Sequence, residues 1–202
     1  MRRMLLVRHG QSVWNAQGKW QGQADIELSE LGRRQAAAAA QKLGSFDLIA
    51  ASPLLRAMET AEIVAATLGI GPIIAIPDLV ERNAGEWSGL TRADIERDWP
   101  GYLANEQRPP SYESDEEMYP RISRAFQQIA ELMSNPDDEA IVFAHGGLVY
   151  LLESHADRNS GRLPNLGAIW LTVDDDGVID VDERIHLIDE ADLRSAQSSD
   201  IL

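Results

Sequence analysis

The chain has 202 residues, 44% of them hydrophobic and 25% charged, enough apolar material for one α/β domain, which we expect to span 1–202. Its formal net charge of −15 argues against nucleic-acid binding, which needs a basic stripe, and makes the positions of the few arginines informative. It has no cysteine, which excludes disulfides, cysteine nucleophiles and cysteine zinc sites, and no apolar run approaches the roughly 20 residues of a membrane span.

The N-terminus, MRRMLLVRHG, is basic and then apolar, but its apolar run covers only 4–7, too short for a signal peptide. We read those residues as a first strand, buried on both faces because no polar residue interrupts it, in a cytoplasmic protein. Residues 29–43 read as a helix, with Ser29 as N-cap, Glu30 in the first turn and Gly44 after its end. The alanines at 36–40 suit close packing on a sheet. A second strand is expected over 46–50. Ser52-Pro53 should then open a helix, serine as N-cap and proline at the first helical position, ending at Gly69.

Residues 72–76 are a third strand candidate. Thr91 with Asp94, and Ser114 with Glu117, have capping-box spacing, and the second should start a helix running to about Met133. Between them, 99–112 is rich in proline and aromatics and reads as a loop or lid. Residues 140–144 (AIVFA) form another buried strand, and Gly146-Gly147 opens the helix after it. Residues 168–173 and 178–186 are strands joined by the turn at 175–177. The tail from Asp189 is polar and expected to be loosely held. Strand and helix alternate, giving a mostly parallel sheet with helices on both faces.

Ligands of such sheets bind beyond the carboxyl ends of the strands. Arg8 and His9 follow the first strand, His145 follows AIVFA, and Arg56 lies in the first turn after the second strand. Taken singly, each has an ordinary reading as a surface or structural residue. Together, from three strand ends, they form a donor cluster suited to a phosphate dianion. The free N–H groups of Gly146-Gly147 and the Asn15 amide could add to it. Histidine is the sensible nucleophile in a chain without cysteine, if one ring nitrogen is bare and the other is held by an acceptor, such as a carbonyl near Gly10. The leaving oxygen needs a proton, for which Glu81 and Glu86 in LVERNAGEWSGL are rivals. His155 and His186 lack such context and read as structural or surface residues. No metal-ligand spacing is present.

These motifs resemble, in order, those of the histidine phosphatase superfamily, phosphoglycerate mutase-like branch: RHGQSVWN at 8–15, QGQADIELSELGRRQA at 21–36, ASPLLRAMETA at 51–61, LVERNAGEWSGLT at 79–91, ESDEEMYPRI at 113–122 and FAHGGL at 143–148. The resemblance implies His9 as the phosphorylated residue, Glu81 rather than Glu86 as acid and base, and Arg8, Asn15, Arg56 and His145 as phosphate ligands. It implies a three-layer α/β/α sandwich with one antiparallel strand, no metal, no cofactor and, from family habit, a homodimer. The partner implied is a small phosphorylated substrate, with neither nucleic acid nor membrane.

Two departures bear on the reaction. Mutases of this family carry His-Tyr where this chain has Asn83-Ala84, and an arginine pair where 104–114 offers Arg108 alone. Both favour a phosphatase, with a 2,3-bisphosphoglycerate-dependent mutase and a non-catalytic phospholigand-binding module as alternatives. Tyr112 replaces an expected glycine, so the pocket rim should differ, and Trp14, Trp20, Trp87 and Trp99 could serve as rim or as core. The ending SAQSSDIL resembles the tail of glucosyl-3-phosphoglycerate phosphatases, which makes that ester a candidate substrate.

Overall fold

The structure, a computed structural model, describes residues 1–158, 161–174 and 176–188. In chain order the elements are β1 (Arg2–Arg8), α1 (Val13–Ala16), α2 (Glu30–Ala40), β2 (Leu48–Ala51), α3 (Leu55–Leu68), β3 (Ile74–Ala75), α4 (Arg92–Asp98), α5 (Asp115–Leu132), β4 (Glu139–Ala144), α6 (Gly146–His155), β5 (Gly167–Val173) and β6 (Ile179–His186). The tail from Asp189, its SAQSSDIL ending and part of the turn at 175–177 lie outside the described residues.

The strands form one sheet in the order β3-β2-β4-β1-β5-β6. β1, β2, β3 and β4 run parallel, and β5 runs against both of its neighbours. The apolar run at 4–7 is uninterrupted because β1 is interior to the sheet and covered on both faces: none of its four side chains exceeds 1% exposure. Met4 and Leu6 pack with α5 and α6, while Leu5 and Val7 pack with α2 and α3, so alternate side chains feed two separate cores. This is the expected three-layer α/β/α arrangement with one antiparallel strand.

Alanine carries the α2–α3 layer. Ala36, Ala39 and Ala40 of α2, and Ala57 and Ala61 of α3, are buried, and their small side chains bring both helices close to the sheet. The helix predicted over 29–43 stops at Ala40, because beyond it the chain leaves the sheet and Gln41 and Lys42 are exposed. Ser29 caps it as expected, accepting from the Gly32 N–H at 3.0 Å.

The helix expected to open at Ser52-Pro53 begins later, at Leu55, and Ser52 is not its cap. The Leu55 N–H is instead satisfied by the Asp25 carboxylate of a distant loop at 2.7 Å. The strand predicted over 72–76 shrinks to Ile74–Ala75, which pairs with β2 alone at the sheet edge. Both capping boxes are present, at Thr91 with Asp94 and at Ser114 with Glu117. Residues 99–112 hold turns and no helix or strand. No helix among the described residues is long and apolar enough to cross a membrane.

Candidate active site

The sheet register sets the site. Arg8 is level with Ala144, and Ala51 with Phe143, so β1, β2 and β4 end together and release His9, Ser52 and His145 side by side. Above them is a cavity of about 470 Å³ whose walls include Arg8, His9, Asn15, Arg56 and Glu81. Residues predicted from three separate stretches of chain are thus brought to one cavity in an acidic protein.

His9 is 2% exposed. Its Nδ1 lies 2.6 Å from the Gly10 carbonyl, the kind of acceptor expected, so Nδ1 carries the proton and Nε2 keeps its lone pair. The Arg56 Nε–H donates to that Nε2 at 3.2 Å, placing this ring nitrogen beside a cation. Burial first, and then Arg56 and Arg8, hold the His9 pKa well below the usual imidazole range. The ring is therefore neutral at pH 7, as a nucleophile must be.

The loop carrying His9 is clamped from behind. The Gly10 N–H donates to the Thr60 hydroxyl at 3.1 Å, and that hydroxyl donates to the Arg56 carbonyl at 2.6 Å. A Cβ on Gly10 would meet the Gly32 carbonyl oxygen at 2.6 Å, and one on Gly32 would meet the Gln11 carbonyl oxygen at 2.0 Å. Only glycine at both positions lets the first turn of α2 press against the nucleophile loop.

Arg56 is fully buried, and each of its terminal nitrogens gives one N–H to a carbonyl, Ala24 and Gly22, both at 2.8 Å, which leaves two N–H groups for a ligand. Burial lowers its pKa to about 10, partly opposed by Glu81 and Asp25, so it stays cationic at neutral pH. Arg8 donates to the Leu163 carbonyl, and its buried Nε has no protein partner. Two guanidiniums thus sit beside His9, fixed in place before any anion arrives.

His145 lies edge-on to His9, ring centres 5.3 Å apart, but does not itself line the cavity. It is held back by Ser52, whose hydroxyl is 2.8 Å from Nε2, while its buried Nδ1 has no hydrogen-bond partner among the described residues. Burial, with Arg56, His9, Arg8 and Arg121, holds its pKa well below the imidazole range. Both histidines are therefore neutral when folded and protonate readily when unfolded. The unfolded state gains protons as pH falls through about 6.5, so folding stability is lost in that direction. Urea unfolding at pH 5.5 should therefore show lower stability than at pH 7.5, and His9→Asn and His145→Asn should each remove part of that dependence.

The two glutamate rivals separate. Glu86 is turned outward to the Ser111 hydroxyl and does not line the cavity, while Glu81 lines it. The Glu81 carboxylate accepts from the Arg82 N–H at 2.7 Å and the Gly147 N–H at 3.2 Å. One amide of the α6 N-terminus, expected to add to the anion site, is thus used on the carboxylate. A Cβ on Gly147 would meet Glu81 Oε1 at 2.1 Å. Gly147→Ala should therefore displace the carboxylate and lower kcat by about 10²-fold with little change in thermal midpoint. Steady-state kinetics on the folded variant checks this.

Arg121 of α5 knits the Glu81 loop together. It donates to the carbonyls of Asp78 at 2.8 Å, Val80 at 2.6 Å and Glu81 at 3.2 Å. It also pairs with Glu113 at 2.7 Å, where both side chains are largely buried. Burial raises the Glu113 pKa, but Arg121 and the Asn83 N–H pull it below the usual carboxylate range. Sequence reasoning missed Arg121, Ser52 and Asn165, which touch the site only through other residues.

Lys19, Trp20, Arg82, Tyr112, Tyr150 and Arg162 also line the cavity. Tyr112, at the unusual position, is indeed a wall residue. Of Trp14, Trp20, Trp87 and Trp99, only Trp20 lines the cavity, and Trp87 is fully buried. Arg108 sits over the rings of Trp87 and Tyr112, 5.3 and 5.6 Å from their centres, and is not part of the wall.

The geometry agrees with comparison to known proteins. The chain is 34% identical over 175 residues to a metal-independent phosphoserine phosphatase of Arabidopsis thaliana, covering 80% of this chain and 72% of that protein. It is 35% identical over 167 residues to a glucosyl-3-phosphoglycerate phosphatase of Mycobacterium tuberculosis, covering 76% and 74%. A solved mycobacterial glucosyl-3-phosphoglycerate phosphatase, complexed with VO3, superposes with a TM-score of 0.77 at 32% identity, over 85% of this chain and 93% of that one. The family model of the histidine phosphatase superfamily (branch 1) matches residues 4–176, and with the buried, neutral His9 between two arginines it places the chain in that superfamily.

Proposed function

We propose that the protein is a phosphomonoesterase that works through a phosphohistidine at His9, on a small phosphorylated metabolite in the cytoplasm. One observation carries the reading: His9 is neutral, its Nδ1 proton is fixed on the Gly10 carbonyl, and its Nε2 lone pair lies in a cavity with Arg56 beside it and Glu81 in its wall. The substrate phosphate binds against Arg8, Arg56 and the Asn15 amide, while His145, held by Ser52, packs edge-on against His9. Nε2 attacks phosphorus, the P–O bond to the alcohol breaks, and the Glu81 carboxylic acid gives its proton to the leaving oxygen. Glu81, now a carboxylate, takes a proton from water. The resulting hydroxide attacks phosphorus, the P–N bond breaks, and inorganic phosphate leaves. Charge on the equatorial oxygens is met throughout by arginines already in position.

Lys19 and Arg162 in the cavity wall favour a leaving group that carries its own acid, and Trp20, Tyr112 and Tyr150 offer flat surfaces to a sugar. A phosphoglycerate or sugar phosphate fits, and the relatives named above make glucosyl-3-phosphoglycerate and phosphoserine the first esters to try. The position of Arg108 outside the wall favours water over a second hydroxyl as acceptor, because no arginine of 104–114 reaches the cavity. The test is a panel of phosphomonoesters assayed for free phosphate with and without 2,3-bisphosphoglycerate. Release without primer supports a phosphatase, and the rate order names the substrate. Interconversion of phosphoglycerates that needs the primer would make the protein a mutase instead.

A further inference from the structure

The segment after α6 reaches back over the nucleophile loop and binds it at four points. The Leu163 carbonyl accepts from Arg8, and the Leu166 N–H donates to the Arg8 carbonyl at 3.1 Å. The Asn165 amide nitrogen donates to the His9 carbonyl at 3.0 Å and to Asn15 Oδ1 at 3.3 Å. The Leu163 N–H is itself anchored on the Tyr150 hydroxyl at 2.9 Å.

The orientation of both amides follows from their partners. The Ser12 backbone N–H lies 3.2 Å from the Asn15 side chain and can only donate, so the Asn15 atom facing it is the oxygen. Asn165 faces that oxygen and the His9 carbonyl, both acceptors, so the end it presents is its NH2 group. With its oxygen held by two donors, Asn15 turns its own NH2 group to the cavity it lines. Without Asn165, only the Ser12 N–H opposes a flip that would aim the Asn15 oxygen, which repels anions, at the phosphate.

We infer that Asn165 is a positioning residue for phosphate binding, acting through Asn15 by fixing which end of that amide faces the ligand. The inference rests on the reading of Asn15 as a phosphate donor. Asn165→Asp keeps the shape, replaces the donor by an acceptor and invites the flip. Asn165→Ala merely removes the restraint.

The experiment is a double-mutant cycle with Asn15→Ala, read by calorimetric binding of inorganic phosphate and by KM and kcat. Asn165→Ala should weaken phosphate binding and raise KM about 3- to 10-fold, with kcat within about threefold, and Asn165→Asp should weaken binding more. In the Asn15→Ala background, both Asn165 substitutions should lose most of their effect. An equal loss in both backgrounds would mean that Asn165 acts by charge or by general support of the loop, and would overturn the inference, as would unchanged binding. Thermal midpoints separate a folding defect from a binding one. If the wild type binds phosphate but hydrolyses no ester, the proposed function fails while the cycle still decides the role of Asn165.

Discussion

His9→Ala should lower kcat/KM for phosphomonoester hydrolysis by about 10⁴-fold or more while leaving the fold intact. The expected loss is large because no other group can take over the role. His145 is close, but its Nε2 is engaged by Ser52 and it does not line the cavity. The chain has no cysteine. What remains is binding and the fixed charges of Arg8 and Arg56, which give residual catalysis without a covalent path. His9 stands in the cavity wall, so alanine there enlarges an existing cavity and leaves the side chains of both hydrophobic cores in place. Kinetics together with the thermal midpoint check the pair of expectations.

Glu81→Gln should cost about 10² to 10⁴-fold in kcat on an alkyl phosphate, because the amide can neither protonate the leaving alkoxide nor activate water. The shape of the defect is more informative than its size. With p-nitrophenyl phosphate the leaving group needs no proton, so the first step should remain fast. Water attack on phospho-His9 still lacks its base. The variant should release a burst of about one nitrophenolate per site and then turn over slowly. A uniform loss with both substrates and no burst would mean that Glu81 holds the pocket together and does no proton transfer. Glu86→Gln should leave both phases nearly unchanged, as Glu86 faces Ser111 outside the cavity.

The residues of the candidate site were legible in the sequence because its parts are local. A fully apolar strand that breaks into Arg8-His9, or into His145, announces a strand end, and parallel strand ends converge. The same locality made β1, β4 and the capping boxes of α4 and α5 readable. What was not legible depends on pairs far apart in the chain. Ser52 before Pro53 has the local signature of an N-cap, yet Asp25 supplies the helix N–H with its acceptor and frees Ser52 for His145. Glu81 and Glu86 differ little in local sequence. Arg121 and Gly147, contributed by α5 and α6, hold one of them at the cavity. Asn165 contacts residues 150 or more positions away, and no periodicity or spacing could have joined it to Asn15. His145 shows the reverse case, with its place beside His9 foreseen and its restraint by Ser52 unforeseen.

The central claim is that His9 Nε2 forms a bond to phosphorus. The most direct test is to mix the protein with a substrate radiolabelled in its phosphoryl group, quench in alkali within the first turnover, and map the label after proteolysis. Label that is stable in alkali, labile in acid and confined to the peptide containing His9 is the predicted result, strengthened in Glu81→Gln and absent in His9→Ala. Full turnover with no labelled peptide, or with label on another residue, would contradict the account.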